Sequence, residues 1–461
     1  MTASGTLPAP PPRSELDTFP TPPPQSGLSR RSLLKLTGLA GLAAASPAVL
    51  SACSSTPAGA ATWSMWSSSP AERKVWDDFS KYVENELKVE SVPTLTPSGP
   101  YPTKLDLQLV SGTAGLVTAL NGTLIPTYAA RGAHRPLDDL IAADPDFELD
   151  DFYPAIRKIS TFNGQTYAIG FDVAPTVMYY NKTLLTKAGI PLPSRTEPMS
   201  WETFRGLAKE LTKPPEQYGF TCAPAIDDLV SWIYCAGGNV MNDEGTVSTL
   251  NRPEALEAIQ FVIDLFVKDQ VTPPISNLVT ESSMANFMEG NVAFMQNGPW
   301  QVVNVRKAKF DWDVVPFPAG AAGSTPRVSG SSFAIPSAVH GDDLDLAWKL
   351  LKTLTSTGAL DIYAKAGRNN PARLAAGSAF KPPPDNLGVV QQILAGKVAG
   401  GHPFDVTTNW NQVKQLLGQD LPRTFLGQVT VPEVIDGLTP RLDVLMKQHQ
   451  DNIRQAEARK G

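Results

Sequence analysis

The side chains in this sequence that could exchange protons, hold a metal or attack a bond do not fall into working patterns. The four histidines, His134, His340, His402 and His449, show no H-E-x-x-H or other metal-ligand spacing. Neither a G-x-S-x-G elbow nor a Walker loop is present. Ser32-Leu33-Leu34-Lys35 spells S-x-x-K, but it lies in an export-type leader, where the match is coincidence. Asp138-Asp139 invites an acid–base reading; adjacent aspartates at a helix start more simply cap it and complement its dipole. Asp243-Glu244-Gly245 lacks the alternating ligands and terminal Glu of an EF-hand. We therefore expect no metal and no cofactor. Binding is better provided for: nine tryptophans offer flat apolar faces, and such platforms flanked by Asn, Asp, Arg and Ser suit hydroxyl-rich, uncharged molecules. A glycosidase stays open only because its two carboxylates can lie anywhere in a sequence.

At 461 residues the chain is too long for one ordinary core and implies two or three domains. A hydrophobic content of 42% and a mean hydropathy of -0.13 describe a soluble globular chain rather than a polytopic membrane protein. The net charge of -6, with no Lys/Arg cluster, argues against a nucleic-acid partner. Residues 1–28 carry eight prolines and cannot build a core. Ser29-Arg30-Arg31-Ser32-Leu33-Leu34-Lys35 follows, close to the twin-arginine export pattern, then a diluted apolar run from Leu36 to Leu50. Leu50-Ser51-Ala52-Cys53 resembles a bacterial lipobox, which makes Cys53 the lipidated first residue of the mature chain. The reading is a signal segment over 1–52, a small-residue tether over 53–61, and an exported protein held by a lipid at the outer face of a bacterial membrane. An oxidising compartment permits Cys222 and Cys235 to pair; two buried free thiols fit the sequence equally well.

The elements that must position any site alternate between strand and helix. Thr62–Trp66 alternates as a first strand, a helix runs from Pro70 to about Leu87, Val89–Val92 is a second strand and Lys104–Val110 a second helix. That order indicates an α/β lobe with a largely parallel sheet. Ligands of such sheets bind beyond the carboxyl ends of the strands, where Trp66 falls. Leu116–Leu120 is the next strand, and Asn121 leaves it at the same edge. Further along, the strand Thr176–Tyr180 ends at Asn181, a helix cap, and Ser200 caps another helix with Phe204, Leu207, Ala208 and Leu211 on one face. Trp232 lies on a helix over Asp228–Ala236, Asn251 caps a helix over Pro253–Lys268, and Trp410 opens a late helix as a further platform.

Two stretches carry a resemblance. Tyr179–Thr212 reads YYNKTLLTKAGIPLPSRTEPMSWETFRGLAKELT, and Phe287–Trp300 reads FMEGNVAFMQNGPW. Both are similar to signatures of the extracellular solute-binding proteins of ABC importers, the maltose-binding-protein-like carbohydrate binders (family 1), and the resemblance covers nearly all of 62–461. It implies a periplasmic-binding-protein-like α/β fold: two lobes joined by three crossing segments, with a ligand cleft between them. Lobe one would be 62–171 and 330–378, and lobe two 172–329 and 379–461. The crossings would be Gln165–Asp172, Val328–Pro336 and a third between about Gly377 and Leu387. The implied cleft residues are Trp66, Asn121, Ser331 and Arg373 from lobe one with Asp172, Trp232 and Trp300 from lobe two. Trp300 reads as core on composition alone; its place after a strand and turn favours stacking on a sugar. The implied protein is a monomer that captures a di- or oligosaccharide by hinge closure and presents it to separate permease subunits. A relative in the family binds glycerol phosphates or glycerophosphodiesters, for which Arg368 and Arg373 would serve, and a receptor for a membrane sensor is a third reading.

Overall fold

The computed structural model describes residues 59–274, 280–376, 388–397 and 400–459. The leader, Cys53 and the expected third crossing at 377–387 lie outside the described residues. The first lobe is built as its alternation predicts. Ser69 Oγ accepts from the backbone N–H of Glu72 and starts the helix Pro70–Leu87, which Lys88 ends in a left-handed conformation. The second strand therefore begins later than expected and runs Ser91–Thr96. It pairs in parallel with Ala61–Trp66, which pairs in parallel with Val117–Asn121.

Two longer strands join this sheet and lead out of it, and the two-residue strands Asn370–Pro371 and His402–Pro403 bring it to seven. Ile169–Pro175 and Arg327–Ala334 run antiparallel to each other, with Ser331 opposite Asp172 and a bulge between Ser331 and Ser332. Arg327–Ala334 also pairs with Val117–Asn121, placing Ser331 opposite Asn121. The register thus sets Asn121, Ser331 and Asp172 side by side. The lobe boundaries expected at 171/172 and 329/330 fall inside these strands. Val173 and Val328 still pack in the first core, whereas Val177 belongs to the second sheet. A strand has no reason to break while both its neighbours pair with it, so the change of lobe comes at Thr176.

The second lobe centres on four strands in the order Trp312–Val315, Val177–Asn181, Val292–Asn297, Tyr218–Thr221. Side chains alternate across this sheet as the two-residue period requires. Met178 and Tyr180 face the large core with Phe204, Phe220 and Trp232, while Val177 and Tyr179 face a smaller one with Phe287, Trp312 and Val390. Asn181 and Ser200 cap their helices as expected, accepting from Leu184 and Thr203 N–H. The helix Pro253–Val267 departs from expectation, since it is preceded by Arg252 rather than capped by Asn251. Cys222 and Cys235 are buried free thiols.

The last helix, Val431–Ala458, is 28 residues long, roughly 42 Å at 1.5 Å per residue. Its first half packs in the second lobe through Val434, Ile435, Leu438 and Leu442. Its last turn does not stay there: Ala456 is in the core of the first lobe, and Arg459 Nη1 donates to the carbonyl of Ala130 at 2.6 Å. The expected assignment of 379–461 to lobe two therefore ends before the final turn.

Candidate ligand-binding cleft

A cleft of about 730 Å³ opens beyond the carboxyl ends of the first-lobe strands and is lined from both lobes. Trp66, Asn121, Asp172, Trp300 and Ser331, all singled out in the sequence, line it. Trp66 is half-buried, with its ring centre 5.4 Å from Tyr101 and 6.1 Å from Phe171. Trp300 follows the strand Val292–Asn297 in the short turn of helix Pro299–Gln301, and its indole folds back over Gly298. A Cβ at Gly298 would come within 2.0 Å of that ring, so only glycine lets the indole lie there. Asn121 Oδ1 accepts from both the N–H and the hydroxyl of Thr123. That fixes its carboxamide at the strand end.

Asp172 serves the frame more than the opening. Its Oδ1 accepts from the backbone N–H of Ser331 at 2.7 Å and its Oδ2 from Tyr363 Oη at 2.8 Å. Burial raises its pKa, opposed by the hydrogen bonds from Tyr363, Asn369 and Ser331 and by the charge of Arg368. On the opposite wall burial pushes Asp228 up to about 6, against the Ala223 N–H and the charge of Arg327.

Three predicted residues, Trp232, Arg373 and Trp410, do not reach the cleft. Trp232 is fully buried among Trp201, Phe204, Phe261 and Phe317, and its Nε1–H donates to Gln296 Oε1 at 2.7 Å. The helix carrying it starts at Ile226 and turns that face inward, so the indole is core. Gln296 lines the cleft in its place, its Nε2 donating to the carbonyl of Asp228. Arg373 lies behind the first lobe: it pairs with Asp151 at 3.0 Å, donates to the Thr355 carbonyl and covers Phe152 at 4.7 Å. Arg368, five residues earlier, does line the cleft. It pairs with Glu72 at 3.2 Å and stands over Trp76. Trp410 is also core, donating to Asp227 Oδ1 from a buried indole. Asp138 and Asp139 are structural, accepting from Thr166 N–H and pairing with Arg135.

Sequence reasoning missed Glu72, Asp227, Asp228, Gln296, Arg327 and Lys414. Their signal was faint: each lies near the end of a strand or the start of a helix, a place shared with many surface residues. Together they give the cleft its electrostatic character. Glu72 pairs with Arg368, and Asp227 pairs with Lys414 at 3.4 Å. Arg327, over the ring of Phe404, offsets Asp228. The walls are polar and mutually compensated. Among the described residues no group of three or more His, Cys, Asp or Glu could hold a metal ion, and no helix is long and apolar enough to cross a membrane.

Two α/β lobes strung on antiparallel crossing strands, with a cleft lined from both sides, define a periplasmic-binding-protein-like fold. The chain belongs to the bacterial extracellular solute-binding protein family, whose pattern it matches over residues 74–384. It is 27% identical over 240 residues to a maltotriose-binding protein of Pyrococcus abyssi, covering 50% of this chain and 49% of that one. The chain spans about half the length of that relative and 61% of a putative binding protein of Brucella abortus. Among solved structures it is similar to an ABC substrate-binding protein of Listeria monocytogenes in complex with cycloalternan, with a TM-score of 0.72 and 22% identity over 87% of this chain and 99% of that one. A solute-binding protein of Thermotoga lettingae bound with α-D-tagatose superposes with a TM-score of 0.73 at 20% identity, covering 84% of this chain and 99% of that one.

Proposed function

We propose that this chain is the substrate-binding protein of an ABC importer and captures a neutral, hydroxyl-rich ligand, a di- or oligosaccharide, between its lobes. The observation that carries the reading is the charge compensation of the cleft. Glu72 with Arg368 and Asp227 with Lys414 leave little net field, while Trp66 and Trp300 offer aromatic faces. A neutral polyol exchanges hydrogen bonds with such a wall without the desolvation cost of a buried ion. The ligands named for the relatives, maltotriose, cycloalternan and tagatose, belong to the same chemical class. A ligand touching both lobes favours the closed state by that contact alone. In this reading a lipid on Cys53, added after twin-arginine export, keeps the monomer near its permease.

A glycerophosphodiester is the second reading, because Arg327 Nε and Arg368 Nη1 are buried with no partner among the described residues. Thermal-shift titration with maltose, maltotriose, mannitol and glycerophosphocholine separates the two. A binder present at 100 times its dissociation constant adds about 2.7 kcal/mol to stability. A shift with a sugar, lost in Trp300→Ala, supports the first reading. A shift with glycerophosphocholine alone, lost in Arg368→Met, replaces it with the second. Shortening of the oligosaccharide during incubation would mean an enzyme.

A further inference from the structure

Glu72 and Arg368 come from distant parts of the chain and meet at 3.2 Å on the first-lobe wall of the cleft. Glu72 stands in the first turn of the 18-residue helix Pro70–Leu87, where the helix dipole favours negative charge. Its Oε2 accepts from the backbone N–H of Ser68 at 2.7 Å, and its Oε1 faces Arg368 Nη2. The hydroxyl of Ser68 is engaged elsewhere, 2.8 Å from that of Ser98. One carboxylate thus occupies a backbone N–H and a guanidinium together. Those are the donors that an anionic group on a ligand would use.

Arg368 also has a task behind the wall. Its charge supports the buried carboxylate of Asp172, which ties the crossing strands through the N–H of Ser331. Its guanidinium is held over Trp76, 5.8 Å from the ring centre. The frame therefore needs a cation at this place. Left bare, that cation would draw anions into a cleft that focuses its field. Glu72 covers it from the cleft side, since both side chains line the opening. A first-turn glutamate that only completed the helix would need no arginine from so distant a loop.

We propose that Glu72 is the specificity residue that keeps charged ligands out of the cleft: its carboxylate is a built-in anion that fills this donor pair and repels a phosphate or carboxylate on an incoming sugar. This role rests on the reading of the cleft as a site for a neutral sugar. Isothermal titration of the full-length chain with sulfate at low ionic strength tests it. Glu72→Ala binds sulfate at least about tenfold more tightly than wild type, as one charge-assisted hydrogen bond allows. Adding Arg368→Met to Glu72→Ala abolishes the gain. Equal sulfate affinity in wild type and Glu72→Ala overturns the proposal, as does no binding by either or a gain that survives Arg368→Met. If Glu72→Ala does not fold, Glu72→Gln decides, because it keeps the size of the side chain and removes its charge. A gain in sulfate affinity over wild type then supports the proposal, and unchanged affinity overturns it. A sulfate gain in Glu72→Ala without any sugar-dependent shift in wild type would discard the sugar reading and leave the exclusion of anions standing.

Discussion

The carboxylate of Asp172 accepts a hydrogen bond from the backbone N–H of Ser331, 2.7 Å away on the neighbouring crossing strand. A side chain therefore ties the two inter-lobe strands at the point where a bulge interrupts their ladder. Tyr363 holds the second oxygen. Asp172→Ala leaves two buried donors unpaired, at about 1–3 kcal/mol each, and we expect a loss of about 3 kcal/mol in urea unfolding. Asp172→Asn keeps an acceptor and loses less. Equal losses from both variants would mean that the acceptor oxygen kept by Asn contributes nothing.

The raised pKa of Asp228 makes a pH prediction with a definite sign. The folded protein keeps this proton up to about 6, whereas the ordinary value is 3.8. Between those values the folded state binds more protons than the unfolded chain, so this group lowers stability as pH rises and is constant above. Asp228→Asn removes the effect. The stability of the variant relative to wild type should rise by about 1–3 kcal/mol from pH 4 to pH 6, read from urea midpoints. A flat difference would show an ordinary carboxyl.

Two tryptophans should separate cleanly. Trp232→Ala empties a core site and costs about 3–5 kcal/mol, visible as a lower melting temperature. Trp300→Ala leaves melting almost unchanged and removes the sugar-dependent shift. Gly298→Ala, which pushes the Trp300 indole off its seat, should weaken the same shift without touching any ligand. Retention of full sugar affinity in both Trp300→Ala and Gly298→Ala would take Trp300 out of the binding site.

Arg373 and Arg368 make a parallel contrast. Arg373→Met strands Asp151 and destabilises by about 3 kcal/mol, with ligand affinity preserved. Arg368→Met weakens ligand binding about tenfold, equivalent to about 1.4 kcal/mol, by isothermal titration. The reverse pattern would return Arg373 to the site.

Most of the fold was legible because each lobe advertises itself locally. Ser69, Asn181 and Ser200 are capping residues that do cap, and the apolar face of Phe204, Leu207, Ala208 and Leu211 packs in the core it predicts. Family signatures supplied what periodicity cannot, the assembly of distant strands into one sheet. The site was half legible. Trp66 and Asn121 end strands on the edge where ligands bind, and Ser331 and Asp172 join them through register. Trp232 and Arg373 misled for one reason: composition tells which residue types a cleft uses, not which way a helix or loop turns them. A rotation of about 100° per residue decides whether an indole is platform or core, and the neighbours that fix it, Phe261 and Phe317, are remote in sequence.

The final turn of Val431–Ala458 has a use for instrument making. A dye on a cysteine placed at the exposed Gln455 would be rooted in one lobe while resting on the surface of the other. Its fluorescence would report any change in their separation without a label near the cleft. The labelling would also be selective in the chain from residue 54 onward. Burial keeps Cys222 and Cys235 protonated, the latter pushed up to about 12, and a buried thiol reacts poorly with maleimide at neutral pH. The helix that straddles the lobes thus makes this protein a ready chassis for a reagentless optical sensor.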